Sequence, residues 1–152
     1  MTEAWRILKA KHAATAFSGE GAAMTGGRWN SRGVPVVYTS GSKALAALES
    51  LVHLNPPVLF RYVAFRLKFD DTLVELFPAK ALPADWQTEP PAASTKVIGD
   101  AWVREARSAV LALPSAIISG EANYLINPAH PRFRSISIGK AEPFAFDPRL
   151  LD

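Results

Sequence analysis

Glu49 is the residue here best placed to do chemistry. It lies four residues after Leu45 and three before Val52. On a helix, that spacing puts its carboxylate on the shoulder of an apolar stripe, where a charge is costly unless paired or used. A salt bridge at the helix edge and a reactive carboxylate both fit. Arg28 sits in Gly26-Gly27-Arg28-Trp29-Asn30-Ser31-Arg32-Gly33. A glycine frame lets backbone amides and a guanidinium approach an anion together, and an ordinary turn with an exposed arginine has the same composition. Tyr38, at the end of a short strand, reads by itself as a half-buried core tyrosine. Ser115 follows Pro114 in an apolar run and would ordinarily bond to backbone. Glu121, Asn123 and Asn127 form a polar run before Pro128.

Several chemistries are missing. The absence of cysteine removes disulfides, thiolate nucleophiles and thiolate zinc sites, and fits a reducing, cytoplasmic compartment. The chain has neither GxGxxG nor GxxxxGK[ST], and neither HExxH nor GxSxG. His12, His53 and His130 are too scattered for a ligand pattern and read as surface or hydrogen-bonded core histidines. The formal net charge of +3 is spread along the chain, without the clustered stripe of a nucleic-acid binder. It fits a small anionic ligand or an acidic partner, and simple solubility explains it equally well. No apolar run reaches the roughly 18 residues of a membrane span, and the N-terminus lacks the apolar core of about 7–15 residues of a signal peptide.

The 152 residues suit one domain, residues 1–152. Short strands are expected at 5–8 and 36–39, and a helix at 42–54, capped by Ser40 or Ser42, with Leu45, Leu48 and Val52 as its stripe. Pro56-Pro57 ends that element. Residues 59–69 read as a strand with Val63, Phe65, Leu67 and Phe69 on one face and Arg66 and Lys68 on the other. Residues 12–33 lack a period and read mostly as loop. The stretch 78–91 holds four of the twelve prolines and reads as an irregular connection or lid. A second helix is expected at 94–107, with Val97, Ile98, Ala101, Trp102 and Glu105 on one side. Further short strands are expected at 73–76, 110–113, 116–118, 135–138 and 143–146, and a helix start at Asp147-Pro148. The mixed order predicts an α+β fold with a small central mixed sheet and flanking helices.

Taken in order, Gly27-Arg28-Trp29-Asn30, Val37-Tyr38-Thr39, Ala46-Ala47-Leu48-Glu49 and Leu113-Pro114-Ser115-Ala116 resemble successive blocks of the RES family, named for its Arg, Glu and Ser. Asn127-Pro128-Ala129-His130-Pro131 and the stretch from Phe144 to Leu150 extend the resemblance over nearly the whole chain. Ser115 matches the family serine better than Ser119, because Leu-Pro precedes it. The resemblance implies an ADP-ribosyltransferase-like fold and a toxin of a toxin–antitoxin pair. It implies that NAD is bound and split at the nicotinamide–ribose bond, by water or by phosphate, with no cofactor beyond NAD as substrate. It also implies an antitoxin with a helix-turn-helix domain that covers the site, in an oligomeric complex that touches DNA only through the antitoxin.

On that resemblance the residues acquire roles. A ribosyl bond breaks through an oxocarbenium-like centre. Ordinary sugars need two carboxylates because the leaving group must be protonated, whereas the nicotinamide of NAD is already cationic and leaves neutral. One carboxylate, Glu49, then suffices to stabilise the ribosyl cation. Arg28 would grip the diphosphate, with Asn30 beside it. Tyr38 would stack on nicotinamide, and Ser115 would hydrogen-bond the ribose or the amide. Three rivals use other chemistry: an ADP-ribosyltransferase that modifies a macromolecule, a ribonuclease that needs no NAD, and a non-catalytic binding module.

Overall fold

The computed structural model describes residues 1–53 and 60–151. The expected stop at Pro56-Pro57, the last residue of the first expected helix and the first residue of the 59–69 strand lie outside the described residues.

Two long strands form the spine. β1 (Thr2–Lys9) pairs antiparallel with β3 (Tyr62–Phe69) from Thr2 opposite Phe69 to Lys9 opposite Tyr62. Phe65, Leu67 and Phe69 enter one core with Val63 against it, while Arg66 and Lys68 are exposed, as the alternation predicts. Tyr62 and Ala64 on the opposite face are buried too, under α2 (Lys43–Leu51) together with Trp5, Ile7 and Ala46. β2 (Val37–Ser40) lies on the other side of β1, followed by β6 (Ala122–Ile126), β5 (Val110–Pro114) and β4 (Val74–Leu76). β7 (Ser137–Ile138) and β8 (Glu142–Phe144) both pair with β3. The β4–β5 pair is parallel and the other pairs are antiparallel. This is the α+β class expected, with a mixed sheet of eight strands that is larger than the small one predicted. No helix among the described residues is long and apolar enough to cross a membrane.

Four local expectations need correction. Residues 116–118 are a bend, not a strand. The backbone turns back at Ser115, whose N–H donates to Glu121 O at 2.8 Å, and the returning strand is β6, built from what the sequence shows as a polar run. Residues 12–33 contain a one-and-a-half-turn helix, α1 (Glu20–Thr25), which buries no side chain and so leaves no apolar period. In α2 the buried residues are Leu45 and Ala46, and Val52, past the last helical residue, is 58% exposed.

In α3 (Ala93–Glu105) the buried face is Thr95, Gly99 and Trp102, and Val97 is exposed. The stripe is displaced because small residues mark it. A Cβ on Gly99 would lie 1.7 Å from Trp29 O, so only glycine lets α3 approach that backbone. Thr95 Oγ1 donates to Arg28 O at 2.5 Å beside the same contact. Trp29, Trp102, Leu111, Leu113 and Leu125 then close the core between α3 and the sheet. The expected helix start at Asp147 is a single 3-10 turn, Pro148–Leu150, with the Asp147 carboxylate accepting from Arg149 N at 2.9 Å.

Candidate active site in a split of the sheet

β1 and β2 share one register pair, Trp5 opposite Ser40, and then part. The Arg6 guanidinium fills the gap. Its Nε donates to Ala16 O at 2.8 Å and its Nη1 to Tyr38 O at 3.0 Å. Burial pulls its pKa down to about 10, which leaves it a cation at neutral pH. A cavity of about 650 Å³ opens along this split, within the usual size range of small-molecule sites. Its walls are Trp5, Arg6 and Ile7 of β1, Tyr38, Thr39 and Ser40 of β2, Glu49 and Ser50 of α2, and the Gly26–Trp29 turn with Lys96 of α3.

α2 starts where Ser42 Oγ accepts from Leu45 N at 3.0 Å, and with Leu45 and Ala46 buried against the sheet Glu49 borders the cavity. The β5–β6 turn approaches from the far side. Ser115 Oγ donates to Glu49 Oε2 at 3.3 Å, and Asn123 Nδ2 donates a short bond to the same oxygen. Ser40 Oγ in turn donates to Asn123 Oδ1 at 2.8 Å. No cation lies within salt-bridge distance of Glu49 among the described residues, so the salt-bridge reading of Glu49 does not hold. Two neutral donors fix one carboxylate oxygen, and the carboxylate borders the cavity.

Ser115 is 2% exposed and is not part of the cavity wall. It touches Glu49 and accepts from Ile117 N and Ile118 N. Ser119 is exposed and makes no such contact. Asn30 is fully buried. Its Nδ2 donates to Ala22 O, Ser31 O and Val34 O, and its Oδ1 accepts from Tyr38 Oη at 2.6 Å. It therefore holds the turn and the tyrosine rather than facing the cavity. Tyr38 Oη also accepts from Trp29 N, and burial pushes the phenol well above its ordinary pKa, so its proton stays on the Asn30 bond. A Cβ on Gly27 would sit 2.6 Å from that hydroxyl, which explains the second glycine of the turn.

Arg28 borders the cavity, but its guanidinium is already bonded. Nη1 donates to Trp86 O at 2.9 Å and Thr88 O at 2.8 Å, and Nη2 pairs with Glu89 Oε2 at 3.0 Å. Trp86 stacks on Trp29, with ring centroids 6.5 Å apart. The proline-rich stretch 78–91 thus contributes a wall of the site. Lys96 Nζ donates to Gly27 O at 2.6 Å and pins the turn from α3.

Sequence reasoning missed Arg6, Lys96, Ser40 and the role of Asn123. Asn123 stood out only as a member of a polar run. Arg6 carried a usable signal, as the one charged residue of the expected 5–8 strand, between Trp5 and Ile7. Of the histidines, His53 borders the cavity, and no cluster of three metal-ligating side chains occurs among the described residues.

The split is lined by the cations Arg6, Arg28 and Lys96 and by Glu49, a carboxylate with no cationic partner among the described residues. Comparison with known proteins gives the family: the chain belongs to the RES domain family, whose model matches residues 3–147. It is 40% identical to the Prs ADP-ribosylating toxin of Sphingobium sp. (strain YBL2), over 99% of this chain and 97% of that protein. It is 35% identical to Toxin Res of Yersinia enterocolitica, over 96% of this chain and 97% of that protein. Its fold matches a chain of the crystal structure of the M. tuberculosis MbcT–MbcA toxin–antitoxin complex with a TM-score of 0.75 at 19% identity, over 94% of this chain and 84% of that one.

Proposed function

We propose that this RES-domain toxin binds NAD in the sheet split and breaks its nicotinamide–ribose bond. The observation that carries this reading is Glu49. It is a carboxylate bordering the cavity without a cationic partner among the described residues, held by the neutral donors of Ser115 and Asn123. When the C1′–N bond breaks, its electron pair goes to the nicotinamide ring and positive charge develops at C1′. A fixed carboxylate stabilises that charge without having to reorganise. Arg6, Arg28 and Lys96 border the same cavity and supply positive charge for the diphosphate. Tyr38 offers its ring to the wall while Asn30 holds its hydroxyl. In hydrolysis, water adds oxygen to C1′ and releases a proton; in phosphorolysis, a phosphate oxygen takes that place.

A second reading keeps the same bond cleavage and changes the acceptor to a protein side chain. The name of the Sphingobium relative favours it. The likeness to the MbcT–MbcA complex supports an antitoxin partner, which would have a helix-turn-helix domain, form an oligomeric complex with the toxin and close the cavity mouth in the cytoplasm. The test is nicotinamide release from NAD by purified protein, with and without phosphate, and with adenylate-labelled NAD in a cell extract. Release in buffer supports water or phosphate as acceptor, and label on protein supports transfer. NAD binding without release in any arm overturns the catalytic reading.

Two variants separate binding from chemistry. Arg28→Ala should raise KM about 10- to 100-fold, the loss expected for charged hydrogen bonds of about 1.5–3 kcal/mol; unchanged NAD affinity by calorimetry would remove Arg28 from the binding site. Ser115→Ala should lower kcat about tenfold with little change in KM, the loss of roughly one hydrogen bond to Glu49. A change in KM alone would mean that Ser115 touches substrate.

A further inference from the structure

We infer that Glu89 is a specificity-determining residue, a built-in anion that a ligand's diphosphate replaces at Arg28. The inference rests on the NAD reading, because it takes Arg28 as the cation that meets the diphosphate. Among the described residues, the hydrogen bonds of the Arg28 guanidinium go to three residues of one segment, Trp86, Thr88 and Glu89. Two of these partners are backbone carbonyls in a well-anchored stretch. Trp86 packs on Trp29, and Asp85 accepts from Ser94 Oγ at 2.5 Å. The third is a side chain that borders the cavity, with Glu89 68% exposed and Arg28 only 16% exposed. The carbonyls therefore hold the guanidinium in place, and Glu89 is the partner that can swing out.

A single carboxylate matches a singly charged ligand at this position, so a monoanion gains little by displacing it. A diphosphate brings more charge, and Lys96, on the same cavity wall, is close enough to the Arg28 turn to share it, with Nζ bonded to Gly27 O. Glu89 thus filters ligands by charge. The exposure of Glu89 keeps the effect modest, because water and salt screen its side of the pair.

Calorimetry at fixed ionic strength with three probes tests this: ADP-ribose, cyclic AMP as a monoanion and adenosine as a neutral control. Glu89→Gln should bind ADP-ribose about 2- to 5-fold tighter than wild type, the span expected for an exposed ion pair. Adenosine should bind both equally. Cyclic AMP should bind wild type no tighter than adenosine does, and should gain affinity in Glu89→Gln. Adding Arg28→Ala should erase the gain, and raising the salt should shrink it. If Glu89→Gln brings no gain while Arg28→Ala weakens ADP-ribose, the inference on Glu89 is overturned and the diphosphate role of Arg28 stands. A gain that persists in the double variant also overturns it, since it would then reflect the general field. If Arg28→Ala and Arg28→Lys, both folded by thermal melting, leave ADP-ribose affinity unchanged, the diphosphate reading of Arg28 falls and the inference falls with it.

Discussion

Glu49→Gln is expected to lower NAD turnover about 10²- to 10³-fold, the range for loss of one preorganised electrostatic group. The melting temperature should stay within a degree or two, roughly the shift that half a kilocalorie causes in a domain of this size. The amide keeps the shape of the side chain and can turn its oxygen toward Asn123 Nδ2 and Ser115 Oγ, the donors that hold Glu49. The negative charge that would face the cationic C1′ disappears. No salt bridge of Glu49 exists to be lost among the described residues, so the charge can be removed without stranding a buried cation. Single-turnover nicotinamide release beside a thermal melt checks both halves. Full turnover in a folded Glu49→Gln protein would sink the assigned role. A large drop in melting temperature would mean the carboxylate is structural.

The second large effect falls on stability. Gly99→Ala should destabilise the protein by about 3 kcal/mol, at the upper end of overpacking costs. Two opposing terms decide the sign. Alanine in a helix interior is favoured over glycine by about 1 kcal/mol. Against that, the new methyl would lie 1.7 Å from Trp29 O and 2.8 Å from Trp29 C. Both are backbone atoms of a turn pinned by Thr95 and Lys96, so neither can move aside cheaply. The clash outweighs the propensity gain. Gly21→Ala is the control, because it too lies in a helix and its added methyl meets nothing within 4 Å. Urea unfolding of the pair should show a large loss for Gly99→Ala and none for Gly21→Ala. Equal stabilities would mean that α3 is not seated against the Arg28-Trp29 turn as described.

The expectations that failed have separate physical causes. The α3 stripe was read from Val97, Ile98, Ala101, Trp102 and Glu105; Trp102 is buried and Ile98 packs beside it, but Val97 is exposed and the rest of the packed face is Thr95 and Gly99. Smallness, not hydrophobicity, is what a close helix-to-backbone contact selects. β6 was hidden because Ala122, Asn123 and Tyr124 are only partly buried, so a strand that helps build the site does not alternate like a core strand. Arg6 was overlooked because its partners, Ala16 O and Tyr38 O, are backbone atoms that carry no mark in the sequence. Asn30 was named for its neighbourhood to Arg28, yet its side chain turns inward to three carbonyls.

By itself the sequence determined the α+β class, the β3 alternation, a serine cap at Ser40 or Ser42 and the ordered blocks that mark the RES family, because each depends on residues near one another in the chain. Only the tertiary structure decided that β1 and β2 part after one register pair. It also decided that Ser115 and Asn123, 66 and 74 residues from Glu49, meet its carboxylate, and that Glu89 takes the anion place at Arg28 across 61 residues. Such contacts depend on how strands are ordered and how closely α3 can approach, and packing sets both across distances that local patterning does not encode.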